Sequence, residues 1–125
     1  MTKTLYEQEG FALMGAAFEV HSVLGGGMSE EIYQESLEIE LQLRAIPFSS
    51  KAPLKMKYKS RPLQKTYFPD LVVYEEIVVE LKAVTTLQPD HEAQLLNYLR
   101  ICGKSVGYLI NFGPRDKLEW KRFVV

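Results

Sequence analysis

The spacing of apolar residues predicts two helices in the first third of the chain. Over residues 5–24, apolar side chains recur at intervals of three and four, which is the period of a helix with one buried face. Three consecutive glycines at residues 25–27 end this helix, because glycine favours a turn over further helix. Ser29 is the expected N-cap of a second helix that runs to about residue 44.

Alternating apolar and polar residues then predict strands. Residues 54–61 alternate apolar and basic side chains, which is the period of a half-buried strand. The elements expected after it are strands at 64–74 and 77–84, a helix from Pro89 to about Gly103, and strands at 106–112 and 120–125. The resulting order, ααβββαββ, indicates an α/β protein, and a length of 125 residues fits one domain over residues 1–125.

Composition indicates the cellular environment that the protein is expected to occupy. The chain carries one cysteine, so no internal disulfide can form, and a reducing, cytoplasmic location is the simplest expectation. No apolar run approaches the roughly 20 residues that a membrane span needs, so no membrane association is expected. The net charge of −1 is unevenly distributed, because no acidic residue lies between Glu40 and Asp70.

The basic residues of this segment have two interpretations. Lys55, Lys57, Lys59 and Arg61 would lie on one face of the first predicted strand. They could bind nucleic-acid phosphates, a type of contact that gives affinity without sequence specificity. Alternatively, lysines on an edge strand protect it from pairing with other chains. Both uses can coexist.

The strongest chemical pattern is Asp70, nine intervening residues, and then Glu80-Leu81-Lys82. Hydrolysis of a phosphodiester benefits from a divalent ion that polarises the phosphoryl oxygen and generates hydroxide near neutral pH. Magnesium prefers oxygen ligands, and two carboxylates on neighbouring strands can supply them. Glu80 and Lys82 project from the same face of a strand, which places the ammonium beside the reacting water or phosphate. The alternative is a solvated charge pair.

The pairing of the two strands decides whether these carboxylates can meet. A two-residue loop at Glu75-Glu76 would place Leu71 opposite Glu80, and Asp70 and Glu80 would then project from opposite faces of the sheet. We therefore predict a three-residue loop or a bulge between Asp70 and Glu80.

Two helices supply further candidates. Glu30 falls in register with the apolar stripe of the second helix, which should point into the core, whereas the other glutamates of this helix should face solvent. Either Glu30 belongs to the site or it complements the helix dipole. On the third helix, Gln94 and Tyr98 share a polar stripe, which either lines the site or is an ordinary solvated face.

Taken together, these segments resemble the GxxExxY protein family. The matching segments are Gly27-Met28-Ser29-Glu30-Glu31-Ile32-Tyr33, Asp70-Leu71-Val72-Val73, Val79-Glu80-Leu81-Lys82-Ala83-Val84, His91-Glu92-Ala93-Gln94-Leu95-Leu96-Asn97-Tyr98-Leu99 and Leu109-Ile110-Asn111-Phe112-Gly113. That family is similar to the PD-(D/E)XK nucleases, and the motif set is similar to their RecB-like exonuclease branch. The resemblance implies a restriction-endonuclease-like core, in which helices flank a central mixed sheet.

The resemblance also implies a role for each matching residue. Glu30, Asp70, Glu80 and the carbonyl of Leu81 would bind Mg²⁺ or Mn²⁺. Lys82 would be the catalytic lysine, with Gln94 and Tyr98 as supporting residues, so that the catalytic set is Asp70, Glu80, Lys82, Gln94 and Tyr98.

We therefore expect a metal-dependent nuclease that hydrolyses phosphodiester bonds in DNA, with RNA as the second choice. A chain of this length leaves little room for a separate sequence-reading domain, so structure-selective or nonspecific action is expected. One small domain offers limited surface to hold a duplex, which favours a homodimer. The alternatives are a non-catalytic nucleic-acid-binding module and a protein-interaction module on the same fold.

Overall fold

The computed structural model describes residues 4–125 and begins with the two predicted helices. α1 spans Glu7–Leu24, and α2 spans Glu30–Leu43 with Ser29 in the N-cap position. The apolar stripe of α2 is fully buried, as the spacing predicts; it consists of Tyr33, Leu37 and Leu41, each 0% exposed. Within the described residues, no helix combines the length and the apolar character needed to cross a bilayer.

Over residues 4–125, seven strands and one further helix complete the fold. The strands are β1 Phe48–Ser50, β2 Leu54–Tyr58, β3 Arg61–Tyr67, β4 Leu71–Val73, β5 Ile77–Lys82, β6 Val106–Asn111 and β7 Glu119–Val124; α3, Pro89–Cys102, lies between β5 and β6. The α/β class is confirmed. The predicted order ααβββαββ is wrong in its strand count, because the order is ααβββββαββ.

Two strands were missed for identifiable reasons. The predicted strand at residues 64–74 is divided into β3 and β4, because Pro69 has no N–H group with which to continue a ladder. β1 has three residues and pairs with β4, and so short a segment shows no alternation that could reveal it.

The predicted strand at residues 54–61 is also shorter than expected. Lys59 and Ser60 take φ angles of 48° and 64° and form a two-residue turn between β2 and β3. The four basic residues of this segment therefore do not share one strand face. Lys55 and Lys57 lie on β2 on either side of a bulge, Lys59 lies in the turn, and Arg61 begins β3.

The central sheet has the strand order β1-β4-β5-β6-β7, whereas β2 and β3 form a separate two-stranded ribbon. β5 and β6 are parallel, because α3 crosses over between them, and the other neighbouring strands of the central sheet are antiparallel. The predicted mixed sheet flanked by helices is therefore confirmed.

The two faces of the sheet bury different clusters. Val79 and Leu81 of β5 pack with α1 and α2, while Val78 packs with α3 and the ribbon. Because successive side chains of a strand point to opposite faces, Glu80 and Lys82 lie on the side of α3.

Asn111 fixes the segment that follows Lys82. Its side chain is 0% exposed, and its Oδ1 accepts hydrogen bonds from the backbone N–H groups of Val84 and Gly113, at 2.9 and 3.1 Å. Its Nδ2 donates to the Val84 carbonyl and to Glu119. Gly113 lies so close to Val84 that an added Cβ would stand 2.0 Å from the Val84 carbonyl oxygen. The chain leaving β5 is therefore held from both sides.

Candidate active site

The β4–β5 hairpin has the three-residue loop that the candidate site requires. Val73 pairs with Ile77 and Leu71 with Val79, which leaves residues 74–76 in the loop. The prediction of a three-residue loop is therefore confirmed. In this register the residue before Leu71 lies opposite the residue after Val79, so Asp70 and Glu80 face each other across the end of the hairpin.

The two carboxylates contact each other's strands directly. The backbone N–H of Asp70 donates to Glu80 Oε1 at 2.8 Å, and the backbone N–H of Leu81 donates to Asp70 Oδ2 at 2.8 Å. Each side chain thus satisfies a backbone donor where the regular ladder ends. These bonds fix both carboxylates and leave further lone pairs free to accept a cation or a proton.

The carboxyl group of Glu80 has a raised pKa. Burial, followed by the negative charge of Asp70, raises the pKa of the Glu80 carboxyl to about 7, against opposing effects that include the positive charge of Lys82. Lys82 is half-buried and lies two residues along the same strand. The structure therefore brings Asp70, Glu80 and Lys82 to one face of the sheet.

Two tyrosines form one wall beside Glu80. Tyr67 is 6% exposed and stacks on Tyr98 of α3, with ring centroids 3.9 Å apart and an interplanar angle of 2°. The Tyr67 hydroxyl is buried and has no hydrogen-bond partner within the described residues. Burial and the neighbouring Glu80 carboxylate raise its pKa well above the usual range, although the two groups do not reach hydrogen-bonding geometry.

Gln94 and Tyr98 differ in their burial. Tyr98 is half-buried and reaches the site through its stacking with Tyr67, a contact that the sequence did not suggest. Gln94 lies one turn earlier on α3 and is exposed. Their supporting roles stay predictions.

A cavity of about 510 Å³ opens beside Asp70. It is lined by Glu30, Glu31, Gln34, Glu35, Glu38, Lys51, Asp70 and Leu81. Among the described residues, five carboxylates and a single ammonium therefore surround one space. Glu31 and Glu35 of α2 are exposed, as expected, and Glu38 is partly buried; all three also border this cavity.

Glu30 does not occupy the position that its register suggested. It is exposed in the first turn of α2, beyond the buried stripe, although it lines the same cavity as Asp70. Within residues 4–125, no three acidic, histidine or cysteine side chains stand close enough together to hold a metal ion as they are placed. The predicted convergence of Glu30, Asp70 and Glu80 on one point is therefore not formed.

Lys51 was missed by the sequence reasoning and lines this acidic cavity. Its Nζ donates to Asp70 Oδ1 at 2.7 Å. The hydrogen bond to Asp70 raises the pKa of Lys51 against the opposing effect of partial burial, and the charges of Glu80 and Glu30 raise it further. The ammonium that pairs with Asp70 is thus that of Lys51 and not that of Lys82.

Gln34 is a second missed residue. Its Nε2 donates to the backbone carbonyl of Asp70 at 2.9 Å and to Glu38 Oε2 at 2.8 Å. Glu30, Gln34 and Glu38 recur every four residues along α2, and this polar stripe was the signal that could have revealed it.

The donor atoms of this site are oxygens, which is the type of ligand that a hard divalent cation binds. The carboxylates of Asp70 and Glu80 are in place, the residue that supplies the Leu81 carbonyl lines the cavity, and Glu30 stands at its edge. Oxygen donors of this kind are those that Mg²⁺ and Mn²⁺ prefer. The chemistry of the donor set therefore fits the ion, with Asp70 and Glu80 as the preformed part.

The basic residues of the ribbon are exposed. Lys55, Lys57, Lys59 and Arg61 all face solvent, and Lys59 lies over the ring of Tyr58 at 5.5 Å. The base of the ribbon carries Tyr67, so the ribbon joins the site directly.

An α/β fold that brings two carboxylates and a lysine to the end of a central hairpin defines a class of candidate phosphodiesterases. The family model described as the PD-(D/E)XK nuclease superfamily matches residues 7–123, so the chain belongs to that superfamily. Its members are generally nucleases, which are hydrolases acting on nucleic acid.

Among solved structures, the chain is similar to one titled "Crystal structure of SSO0001", with a TM-score of 0.59 and 18% sequence identity. The match covers 95% of this chain and 59% of that one, so this chain spans about three fifths of its length. At this identity the similarity shows the fold alone. A search of curated proteins gave no match.

Proposed function

We propose that this protein is a metal-dependent nuclease that hydrolyses phosphodiester bonds in DNA, with RNA as the second choice, in a structure-selective or nonspecific manner. The observation that carries the proposal is the pair of opposed carboxylates, Asp70 and Glu80, with Lys82 two residues beyond Glu80; each carboxylate accepts a hydrogen bond from a backbone N–H across the hairpin. Membership of a nuclease superfamily supports the same chemistry.

Each candidate residue has a role in this proposal. Asp70 and Glu80, with the Leu81 carbonyl and Glu30, would hold Mg²⁺ or Mn²⁺. When bound, the ion supplies a Lewis acid for the phosphoryl oxygen and lowers the pKa of water. Lys82 orients the attacking water and offsets negative charge that develops on the phosphate.

The α3 residues complete the proposed site. Tyr98, held against Tyr67, forms a wall beside Glu80, and the exposed Gln94, one turn earlier, would position the phosphate by hydrogen bonding.

The charge of the cavity supports a requirement for a cation. Five carboxylates border the space beside Asp70, and of the described cationic side chains only Lys51 opposes them there. A phosphodiester is itself an anion, so it would be repelled unless positive charge is added. A bound divalent ion would supply that positive charge where the sugar–phosphate backbone of the nucleic acid must approach.

The ribbon is the proposed nucleic-acid contact. Lys55, Lys57, Lys59 and Arg61 are exposed on a segment that joins the site through Tyr67, and a two-stranded ribbon of this kind fits the major groove of a duplex. Contacts of this kind give affinity that falls as salt rises.

Four broader expectations remain proposals. They are membership of the GxxExxY family, a single domain over residues 1–125, a homodimer and a cytoplasmic location.

A cleavage assay tests the proposed chemistry. Labelled single-stranded, duplex and branched DNA and RNA are incubated with Mg²⁺, with Mn²⁺ or with chelator. We expect cleavage only with a divalent ion, and losses of at least about a hundredfold in Lys82→Met and Asp70→Asn. Lys104→Met is the matched control, because Lys104 bonds to the Glu75 carbonyl at the opposite end of β5. Intact substrates under all conditions, with folded protein, would refute the proposal.

A second candidate is a nucleic-acid-binding module that does not cut. The pairing of Asp70 with Lys51, and the lack of three clustered ligands in the described part of the chain, are the observations that favour this candidate. Salt-dependent binding that is unaffected by chelator and by Asp70→Asn, without cleavage, would establish it.

A further inference from the structure

Lys51 is bound to Asp70 at two points. Besides the ion pair at 2.7 Å, its backbone N–H donates to the Asp70 carbonyl at 3.2 Å. Lys51 also has a φ of 53°, in the left-handed region that residues with a Cβ rarely adopt. Such a conformation persists only where the surrounding structure holds it. The segment between β1 and β2 therefore holds a lysine in an unfavourable backbone conformation, with its ammonium beside the proposed metal site.

The environment of the ammonium resembles that of a bound cation. It contacts one oxygen of Asp70, and the charges of Glu80 and Glu30 also act on it. Among residues 4–125, no other lysine or arginine lines this cavity. Asp70, Glu80 and Glu30 are also three of the proposed metal ligands.

We propose that Lys51 is an internal counterion that stands at Asp70 in the metal-free protein and competes with the divalent ion for this carboxylate. The inference rests on the proposed function, since it assumes that the ion binds at Asp70. Lys51 thereby stabilises the acidic cavity while it is empty and lowers the affinity for metal.

Because Lys51 is exposed, a divalent ion can replace its ammonium at Asp70, and the ammonium can return when the ion leaves. The Lys51 side chain is 59% exposed and that of Asp70 is 18% exposed, so the pair is weak and the ammonium can turn into solvent when a doubly charged ion arrives. Loss of a pair of this exposure corresponds to at most about a fivefold change in an equilibrium constant.

Metal titration without substrate tests this proposal. Binding of Mn²⁺ is followed by the EPR signal of the free ion in wild type, Lys51→Met, Lys51→Arg and Lys65→Met. Lys65 is the matched control, because it is an exposed lysine on β3 that does not line the cavity. We expect Lys51→Met to bind Mn²⁺ about three- to fivefold more tightly, whereas Lys65→Met and Lys51→Arg bind as wild type does.

Thermal unfolding gives a second readout. In chelator, Lys51→Met should melt below wild type, because the carboxylates lose the ammonium that pairs with Asp70 in the cavity, and saturating Mn²⁺ should remove the difference. Equal Mn²⁺ affinity of wild type and Lys51→Met would overturn the inference and leave the proposed nuclease standing. Absence of Mn²⁺ binding in wild type would overturn both.

Discussion

Glu80 should destabilise the fold that contains it. Its carboxyl pKa is raised to about 7 by burial and by the charge of Asp70, so the folded protein binds a proton at Glu80 more tightly than the unfolded chain does. The contribution of Glu80 to the free energy of unfolding is most favourable below about pH 4.5. It falls as the pH rises through about 7 and stays low above that value. Glu80→Gln removes the charge and keeps the shape of the side chain.

The expected loss of folding free energy follows from the size of the Glu80 pKa shift. A tenfold change in proton affinity corresponds to about 1.4 kcal/mol, so a pKa that rises from 4.5 to about 7 corresponds to a loss of up to about 3 kcal/mol above pH 7. Glutamine retains an oxygen that can accept from the Asp70 N–H, as the protonated carboxyl does, and the pKa shift already includes the stronger bond that the charged carboxylate makes. At pH 8 in chelator, Glu80→Gln should therefore be more stable than wild type by up to about 3 kcal/mol.

Urea denaturation measures this difference. The free energy of unfolding is determined in chelator at pH 4.5, 6 and 8, and the advantage of Glu80→Gln should be absent at pH 4.5 and full at pH 8. Glu75→Gln is the control, since Glu75 is exposed in the loop before β5 and its substitution should change stability equally little at each pH. A Glu80→Gln variant that is no more stable than wild type at pH 8 would refute the reasoning.

Three further outcomes are expected. Gly113→Ala should lower the free energy of unfolding by about 2–3 kcal/mol, because its Cβ would meet the Val84 carbonyl at 2.0 Å, and an unchanged urea midpoint would contradict this. Tyr67→Phe should leave that free energy unchanged or raise it by about 1 kcal/mol, because the lost hydroxyl is buried without a partner, and a clear loss in the same urea experiment would show that the hydroxyl is bonded in solution. Replacing Lys57, Lys59 and Arg61 together by alanine should weaken DNA binding and reduce the slope of log affinity against log salt by about 2–3, measured by fluorescence anisotropy, and an unchanged slope would place the contact elsewhere.

The sequence predicted the helices and the core strands because their patterns are long. The stripe of α2 and the runs of β5 and β6 extend over several periods, so one irregular residue does not hide them. β1 has only three residues, and the break at Pro69 concerns a few residues, so neither extends over enough periods to be recognised in the sequence. Their positions follow from pairing with β4, which is a tertiary contact that local patterns do not encode.

The part of the candidate site that lies on the β4–β5 hairpin could be predicted from the sequence. The nine-residue spacing between Asp70 and Glu80 fixes the loop length once both carboxylates must share a face, and the three-residue loop follows from that requirement. Lys51 could not be found in this way, because its approach to Asp70 depends on the pairing of β1 with β4 and on a left-handed backbone at Lys51 itself. Tyr67 was missed for a similar reason, since its neighbours Tyr98 and Glu80 lie on other elements.

Anomalous diffraction from crystals soaked in Mn²⁺ would locate the cation directly. We expect a peak at about 2.1 Å from carboxylate oxygens of both Asp70 and Glu80, with the ammonium of Lys51 withdrawn from Asp70. A peak confined to the outer glutamates of α2, or no peak at saturating Mn²⁺ in a crystal whose cavity is open to solvent, would contradict a metal-dependent site built on the β4–β5 hairpin.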